Sequence, residues 1–376
     1  MRKLINKLNE LNWFLPVLAF IVGCIGVAMI YSATGGVWGL GAKQHFIRLC
    51  AGLILMLIIA SIDVRIWFQL AYPGYVFALI FLICVEFFGV SVNGSQRWLD
   101  LFVVRIQPSE MMKMAMVLAL ARFYHDLPQW RVSKPVGVIG VLIIILAPVG
   151  LILLQPDLGT ALLLAATGIV FAFLSGINWR VITGAAVSAA IALPLFVQFG
   201  LKDYQRARIH TFLDPSRDPS GASYHIIQSK IALGSGGISG KGFMQGTQSS
   251  LNYVPENRTD FIFTVIGEEF GLVGGLGTMV LYILILGVCI WLANQCRHIF
   301  SRMLIMGLSM TFALYVFINM AMVMGLVPVV GVPLPLISYG GTVMMTVLAG
   351  FGIILSAHLH RNKELPRGSG LLLSFR

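Results

Sequence analysis

An all-α, polytopic integral membrane protein is the fold class this sequence predicts, and three observations carry it. Hydrophobic residues make up 58% of the chain and charged residues only 11%, against roughly 25% charged in a soluble globular protein. Mean hydropathy is +0.88. Apolar runs of about 18 residues or more, long enough to cross a bilayer, recur from end to end. Nothing between them is large enough for a separate soluble domain. Residues 1–376 are therefore read as one membrane domain that contains a single large extramembrane loop at 200–260.

Ten spans are expected, at 14–34, 46–62, 70–90, 109–125, 137–154, 158–175, 180–199, 261–292, 303–327 and 335–359. The first is too long for the apolar core of a signal peptide and lacks a small-residue cleavage site, so it is expected to stay as a helix. Lys and Arg set the orientation. With both termini on one side, the short loops of that side hold most of the basic residues, among them Arg65, Arg131, Lys134, Arg180 and Arg297. The short loops of the other side hold Lys43, Arg48, Arg97 and Arg105. The positive-inside rule then puts both termini in the cytoplasm and loop 200–260 outside. The net charge of +11 is accounted for by topology, and nucleic acid is not an expected partner. Cys24, Cys50, Cys84, Cys289 and Cys296 form no CxxC and read as small packing residues rather than a disulfide framework.

In this orientation the fourth, sixth, eighth and tenth spans begin at the outer surface. Each follows an unusual polar stretch: VNGSQRWLDLFVVRIQPSEMMK, LLQPDLGT, PENRTDF and VPLPLISYGG. A site at that surface has no access to nucleotides. QPSE and QPDL echo one another. Pro108 and Pro156 suit a first helical position, and Glu110 and Asp157 fall in the first turn, where a carboxylate complements the positive end of the helix. Lys113 follows Glu110 by three residues on the same face. A charged pair within a membrane helix is costly and faces a cavity or the bundle interior, so the two are read as a site rather than as helix-start chemistry alone. Asp260 in PENRTDF is either a capping carboxylate or a functional one.

Glu268 and Glu269 fall roughly 12–13 Å further into the eighth span at 1.5 Å per residue. They are read as structural, paired with a basic or hydroxyl group of a neighbouring helix. Gly267, Gly271 and Gly275 repeat every four residues and are read as a close helix-packing face. In the large loop, residues 200–223 read as irregular, followed by one short amphipathic helix and a glycine-rich run. GSGGISGKG resembles a phosphate-binding loop, but Ser235 stands where the first glycine belongs and Gly242 where Ser or Thr belongs. A nucleotide loop is rejected, although this backbone with Lys230 and Lys241 is expected to wrap an anionic ligand. HExxH, GxSxG and close His/Cys clusters are absent from the sequence, which argues against structural zinc and a serine hydrolase. Four helix N-termini with Arg97, Arg105, Lys113, Lys230 and Arg258 favour a phosphate or diphosphate. Lipid-like walls favour an amphiphile with such a head, and Asp260 and Glu110 supply acid–base carboxylates beside it.

NGSQRW, QPSE with Lys113, QPDLGT, IIQSKIALGSGGISGKGF, GTQSSLNYVPENRTDFIFTVIGEEFG and PLPLISYGGT resemble, in order and over nearly the whole chain, the SEDS family (shape, elongation, division and sporulation). The short ends and compact length resemble the elongation member more than the division member. The chain departs from the family pattern with VMM after SYGGT and LDLFVVRI between Trp98 and Gln107, neither at an acidic position. The resemblance implies a peptidoglycan glycosyltransferase that polymerises lipid II at the outer, periplasm-facing side of the bacterial inner membrane, for elongation and rod shape. It implies Asp260 as the catalytic general base and Trp98, Arg105, Glu110, Lys113, Asp157, Lys230 and Ser338 as substrate-binding residues. Trp98 has an equally good place in an interfacial aromatic belt. Arg105, Lys113 and Lys230 are candidates to stabilise the departing undecaprenyl diphosphate, a role that a divalent cation (Mg or Mn) would share although no metal cage is defined. The implied partners are a class B penicillin-binding protein transpeptidase, other elongation-complex membrane proteins and membrane lipid. Two alternatives stand beside this reading. A lipid II flippase needs polar groups along a path joining both leaflets, whereas here the carboxylates crowd the outer half. A non-catalytic scaffold tolerates a neutral residue at 260.

Overall fold

The computed structural model describes residues 10–92, 95–101, 104–155, 157–200, 222–247 and 258–366, with Arg206, Phe212 and Asp214. The chain forms α1 (Phe14–Ala33), α2 (Leu40–Ser61) and α3 (Val64–Phe88), then strands β1 (Val90–Val92), β2 (Ser95–Leu101) and β3 (Val104–Ile106). There follow α4 (Pro108–Asp126), α5 (Pro135–Leu154), α6 (Leu158–Leu174), α7 (Trp179–Leu195) and α8 (Ala222–Ser235). Helices α9 (Ile262–Asn294), α10 (Ile299–Val323) and α11 (Gly341–Leu359) complete it. Seven of these, α1, α2, α3, α5, α9, α10 and α11, are long and apolar enough to cross a membrane, while α6 and α7 are shorter apolar helices. The protein is a multi-pass, mostly helical membrane protein.

Burial sorts the helices into layers. In their most apolar stretches α10 and α11 are 67% and 72% buried, against 28% for α2 and α3, so α10 and α11 form the centre. With them lies α4, whose run from Ala115 to Ala121 is wholly buried. α4 carries Glu110, Lys113, Arg122 and Asp126, too many charges for a lipid-facing helix, and the interior is where such groups find partners. The outward faces of α2, α3 and α5 present Ile54 and Ile58, Phe77 and Ile80, and Ile139 and Ile143, spaced as one helical stripe toward lipid.

Two prolines inside helices are answered by side chains from neighbours. A proline removes the bond from its own position to the carbonyl four residues back. Pro148 of α5 thus frees the Ile144 carbonyl, and Tyr75 of α3 donates its hydroxyl to it at 2.9 Å. Pro73 of α3 frees the Gln69 carbonyl, and Arg122 of α4 donates to it at 3.3 Å and to Phe68 O at 2.8 Å. Arg122 Nη1 therefore serves both carbonyls, and its Nε lies 3.7 Å from Asp126 of the same helix.

Between α3 and α4 the chain forms an antiparallel sheet in the order β1–β2–β3. Trp98 pairs with Val90 and Asp100 with Arg105. Only a polar approach to α4 was expected from this stretch, because strands this short leave little periodic signal.

The largest departure from expectation is in α9. One continuous span was expected, but Gly271 has φ 62° and ψ −154° and breaks it. The glycine-rich run fills the break. Lys241 and Gly242 N–H donate to the Glu268 and Glu269 carbonyls at 3.0 and 2.9 Å, and Leu272 and Val273 N–H donate to the Gly237 and Ile238 carbonyls at 2.9 and 3.2 Å. Four α9 backbone groups beside the break thereby find partners, as non-helical backbone within a membrane bundle requires. Gly240 and Gly271 permit this contact, since a Cβ on Gly271 would stand 2.5 Å from Gly240 N. The expectation that this run wraps an anionic ligand is corrected: its backbone is spent on α9, and Lys241 pairs with Glu268 at 2.7 Å. The expected packing role of Gly271 is likewise a backbone one, while Gly267 meets Leu233 of α8. Glu268 also accepts from Thr247 at 3.2 Å, and Glu269 accepts from Ser32 of α1.

Candidate functional site

The helices α2, α4, α6, α9 and α11 begin at one end of the bundle, around the connection 324–340 between α10 and α11. Close approaches tie them there. A Cβ on Gly159 at the start of α6 would stand 2.3 Å from Val330 O. His45 of α2 lies 3.0 Å, through Nε2, from the Leu336 carbonyl. As a carbonyl can only accept, Nε2 carries the proton. Leu336 has φ 66°, a left-handed conformation costly for a branched side chain and found where surroundings over-determine it.

Asp260 stands at this end, half-buried. α9 starts at Ile262 with Phe261 in the N-cap place, so Asp260 lies one residue ahead of the N-cap position. Its backbone segment is held at three successive carbonyls. Tyr339 N–H donates to Arg258 O at 2.8 Å, Ser338 Oγ to Thr259 O at 2.5 Å, and Asn319 Nδ2 to Asp260 O at 2.8 Å. Ser338 in turn accepts from Leu334 N–H at 2.7 Å. The carboxylate faces the turn at Gly331, where a Cβ would stand 3.5 Å from Oδ2.

Glu110 and Lys113 meet at 2.6 Å, both buried. Tyr315 of α10 shares its hydroxyl proton between the two Glu110 oxygens at 3.0 and 3.1 Å, and Lys113 Nζ lies 4.4 Å from the centre of the Tyr315 ring. This cluster closes one end of a cavity lined further by Thr311 and Phe312 of α10 and Thr346, Val347 and Phe351 of α11. The Thr311 and Thr346 hydroxyls donate to the Gly307 and Thr342 carbonyls of their own helices at 2.8 and 2.9 Å, which leaves the ion pair and the Tyr315 hydroxyl as the charged and polar end of the cavity.

Of the remaining expected residues, Lys230 and the start of α6 next to Asp157 meet the same connection. Asp157 caps α6, accepting from Thr160 N–H at 3.1 Å and Thr160 Oγ1 at 2.9 Å, and lies 3.6 Å from Arg97 of β2. Trp98 is half-buried on β2. Arg105 is on β3, with its side chain outside the described residues, as are Pro255, Glu256 and Asn257 ahead of Asp260. Lys230 is exposed and reaches the turn after α10, where a Cβ on Gly325 would stand 2.7 Å from its Nζ. α8 is fixed there by Ser229, which donates to Val323 O at 2.8 Å and lies 3.0 Å from Thr264 Oγ1. Glu268 and Glu269 belong to the α9 break and do not join Asp260. Among the described residues no three His, Cys, Asp or Glu side chains gather into a metal site.

Sequence reading missed Tyr315, Asn319 and Arg97 as partners. Tyr315 and Asn319 are four apart on α10 and so share a face, which is the signal that could have found them.

Fold and site together define a multi-pass membrane protein with a carboxylate held at one end of the bundle and a buried ion-pair cavity beside it. Residues 12–363 match the FtsW/RodA/SpoVE family of cell cycle proteins. The chain is 45% identical to peptidoglycan glycosyltransferase MrdB of Escherichia coli K12, over 92% of each chain. It is 34% identical to probable peptidoglycan glycosyltransferase FtsW of Trichlorobacter lovleyi, over 93% of each. Among solved structures it resembles a chain from a peptidoglycan synthase complex studied for the coordination of polymerization and crosslinking. That match has TM-score 0.82 and 31% identity, covering 94% of this chain and 99% of that one. Rod shape determining protein RodA of Thermus thermophilus matches with TM-score 0.71 and 27% identity, covering 94% and 98%. The chain belongs to the FtsW/RodA/SpoVE family, the one its motifs resemble.

Proposed function

We propose that this chain is a peptidoglycan glycosyltransferase that polymerises lipid II at the periplasmic face of the inner membrane during cell elongation, with Asp260 as general base. The observation that carries the reading is the setting of Asp260: half-buried, outside its helix, and pinned through three successive backbone carbonyls. Backbone held this way fixes where the carboxylate stands, as a general base requires. Five helix N-termini open at the same end, and with exposed Arg258 and Lys230 they favour a diphosphate. Asp260 takes the proton of the acceptor sugar hydroxyl as that oxygen attacks the donor anomeric carbon. The bond to the diphosphate breaks, and undecaprenyl diphosphate leaves with the electron pair.

On this reading α1–α7 and α9–α11 are the ten spans, both termini are cytoplasmic and this end faces outside, which suits a lipid-carried donor. A relative at 45% identity is named a peptidoglycan glycosyltransferase, and the synthase complex couples polymerization to crosslinking. On this reading the chain works beside a class B penicillin-binding protein transpeptidase.

The test gives purified chain labelled lipid II in detergent, with and without the transpeptidase, and resolves products on a gel beside Asp260→Asn at equal folded yield. Long glycan from the native chain and none from the variant is the expected result. Glycan from both removes Asp260 from the chemistry. Glycan from neither ends the polymerase reading, and a liposome translocation assay then tests the lipid II flippase.

A further inference from the structure

We infer that Asn319 is a positioning residue for the Asp260 carboxylate, an inference that rests on the polymerase reading above and deepens it. Asn319 lies in the apolar run ALYVFINMAMV of α10 and is fully buried. A buried amide in such a helix is costly unless its hydrogen bonds are made. Nδ2 donates to Asp260 O at 2.8 Å and to Val332 O at 2.7 Å. Both partners are carbonyls and can only accept, so the orientation of the amide is fixed. Oδ1 is left buried with no hydrogen-bond partner. A side chain kept only for packing would avoid that loss by being a hydrocarbon, as its neighbours are.

The two carbonyls belong to the two sides of one small site. Asp260 carries the carboxylate. Val332 follows Gly331, the turn that the carboxylate faces at the distance given above. One amide therefore sets the separation between Asp260 and the wall opposite it. The other two ties of this segment come from Ser338 and Tyr339, in the irregular connection before α11, whereas Asn319 comes from a central helix. Groups mounted on helices hold a reacting geometry better than groups on loops, and the tolerance is about half an ångström. Asn319 makes no claim on substrate, so its loss is felt in the chemical step.

The test measures lipid II polymerisation by the full chain in detergent for the native protein, Asp260→Asn, Asn319→Leu and Asn319→Gln. Turnover is taken per folded molecule, with KM and melting temperature read for each. Asn319→Leu, similar in size but without a donor, is expected to lower kcat by roughly tenfold to a hundredfold while KM stays within about threefold. Asn319→Gln, which keeps the two-proton donor, is expected to recover part of kcat. A folded Asn319→Leu protein with native kcat overturns the inference, as does a loss confined to KM. Loss of folded yield in both variants assigns Asn319 to the fold and overturns it equally. A native chain that makes no glycan removes the polymerase reading, and this inference with it. Native glycan alongside Asp260→Asn glycan removes Asp260 and leaves nothing for Asn319 to position.

Discussion

Tyr315 hydrogen-bonds both carboxylate oxygens of Glu110 from a position 205 residues further along the chain. With Lys113 at 2.6 Å on the other side, the Glu110 charge is answered by an ammonium and a hydroxyl, and the ammonium rests against the same aromatic ring. Four residues on, Asn319 holds Asp260. One face of α10 therefore serves both carboxylates, and this links the cavity between α4, α10 and α11 to the segment that carries Asp260.

The cost of breaking that cluster depends on which member goes. Lys113→Met leaves a buried carboxylate without its counter-charge and is expected to destabilise by about 3–5 kcal/mol. Tyr315→Phe removes only a hydrogen bond to a charged group, worth about 1.5–3 kcal/mol. Adding Glu110→Gln to Lys113→Met is expected to recover most of the loss. Thermal unfolding in detergent ranks the three, and a Lys113→Met protein no less stable than Tyr315→Phe contradicts the account.

Tyr75 and Pro148 are expected to be coupled, because the hydroxyl serves the carbonyl that the proline leaves bare. Tyr75→Phe in the native chain is expected to cost about 1 kcal/mol. In a Pro148→Ala background the helix regains its own N–H donor, and the same change is expected to cost little. A double-mutant cycle on unfolding free energies reads the difference. Additive effects would mean that Tyr75 acts by packing alone.

The apolar runs were legible because membrane-spanning composition is local to each segment. The acids were legible because Glu110, Asp157, Asp260, Glu268 and Glu269 stand out in such surroundings. Their partners were not. Tyr315 and Ser32 come from helices distant in sequence, and nothing local in their largely apolar runs points to the acids they meet. Gly267, Gly271 and Gly275 have a spacing that reads equally as helix packing, and the break at Gly271 appears only when loop 236–242 supplies the missing backbone partners. The sheet at 90–106 depends on pairing between strands too short to announce themselves.

Gly271 is where that break is most easily tested. Its φ and ψ lie in a region essentially reserved for glycine, and an added Cβ would meet Gly240 N at 2.5 Å and Ile238 O at 2.6 Å. Gly271→Ala is expected to cost more than about 2 kcal/mol and to release the docked loop. Hydrogen exchange at Leu272, Val273, Lys241 and Gly242 reads the release directly. Unchanged protection at these four amides would mean that the loop does not depend on the break.

Asp63 offers a pH-dependent tie at the opposite end of the bundle. It caps α3 by accepting from Arg65 N–H at 3.0 Å and pairs with Lys363 beyond α11. Burial pushes its carboxyl up, but the Lys363 hydrogen bond, the Arg65 N–H and the nearby His360 outweigh that and hold it below its ordinary value. A carboxyl depressed in the folded state adds stability above its unfolded pKa of about 3.9 and loses it as pH falls through the folded value. Asn caps a helix as well as Asp does, so Asp63→Asn isolates the charge. The native melting temperature is expected to exceed that of Asp63→Asn at pH 7, with the gap closing as pH falls below about 4. A gap that persists in acid would assign the tie to the hydrogen-bond geometry of the cap and not to the charge.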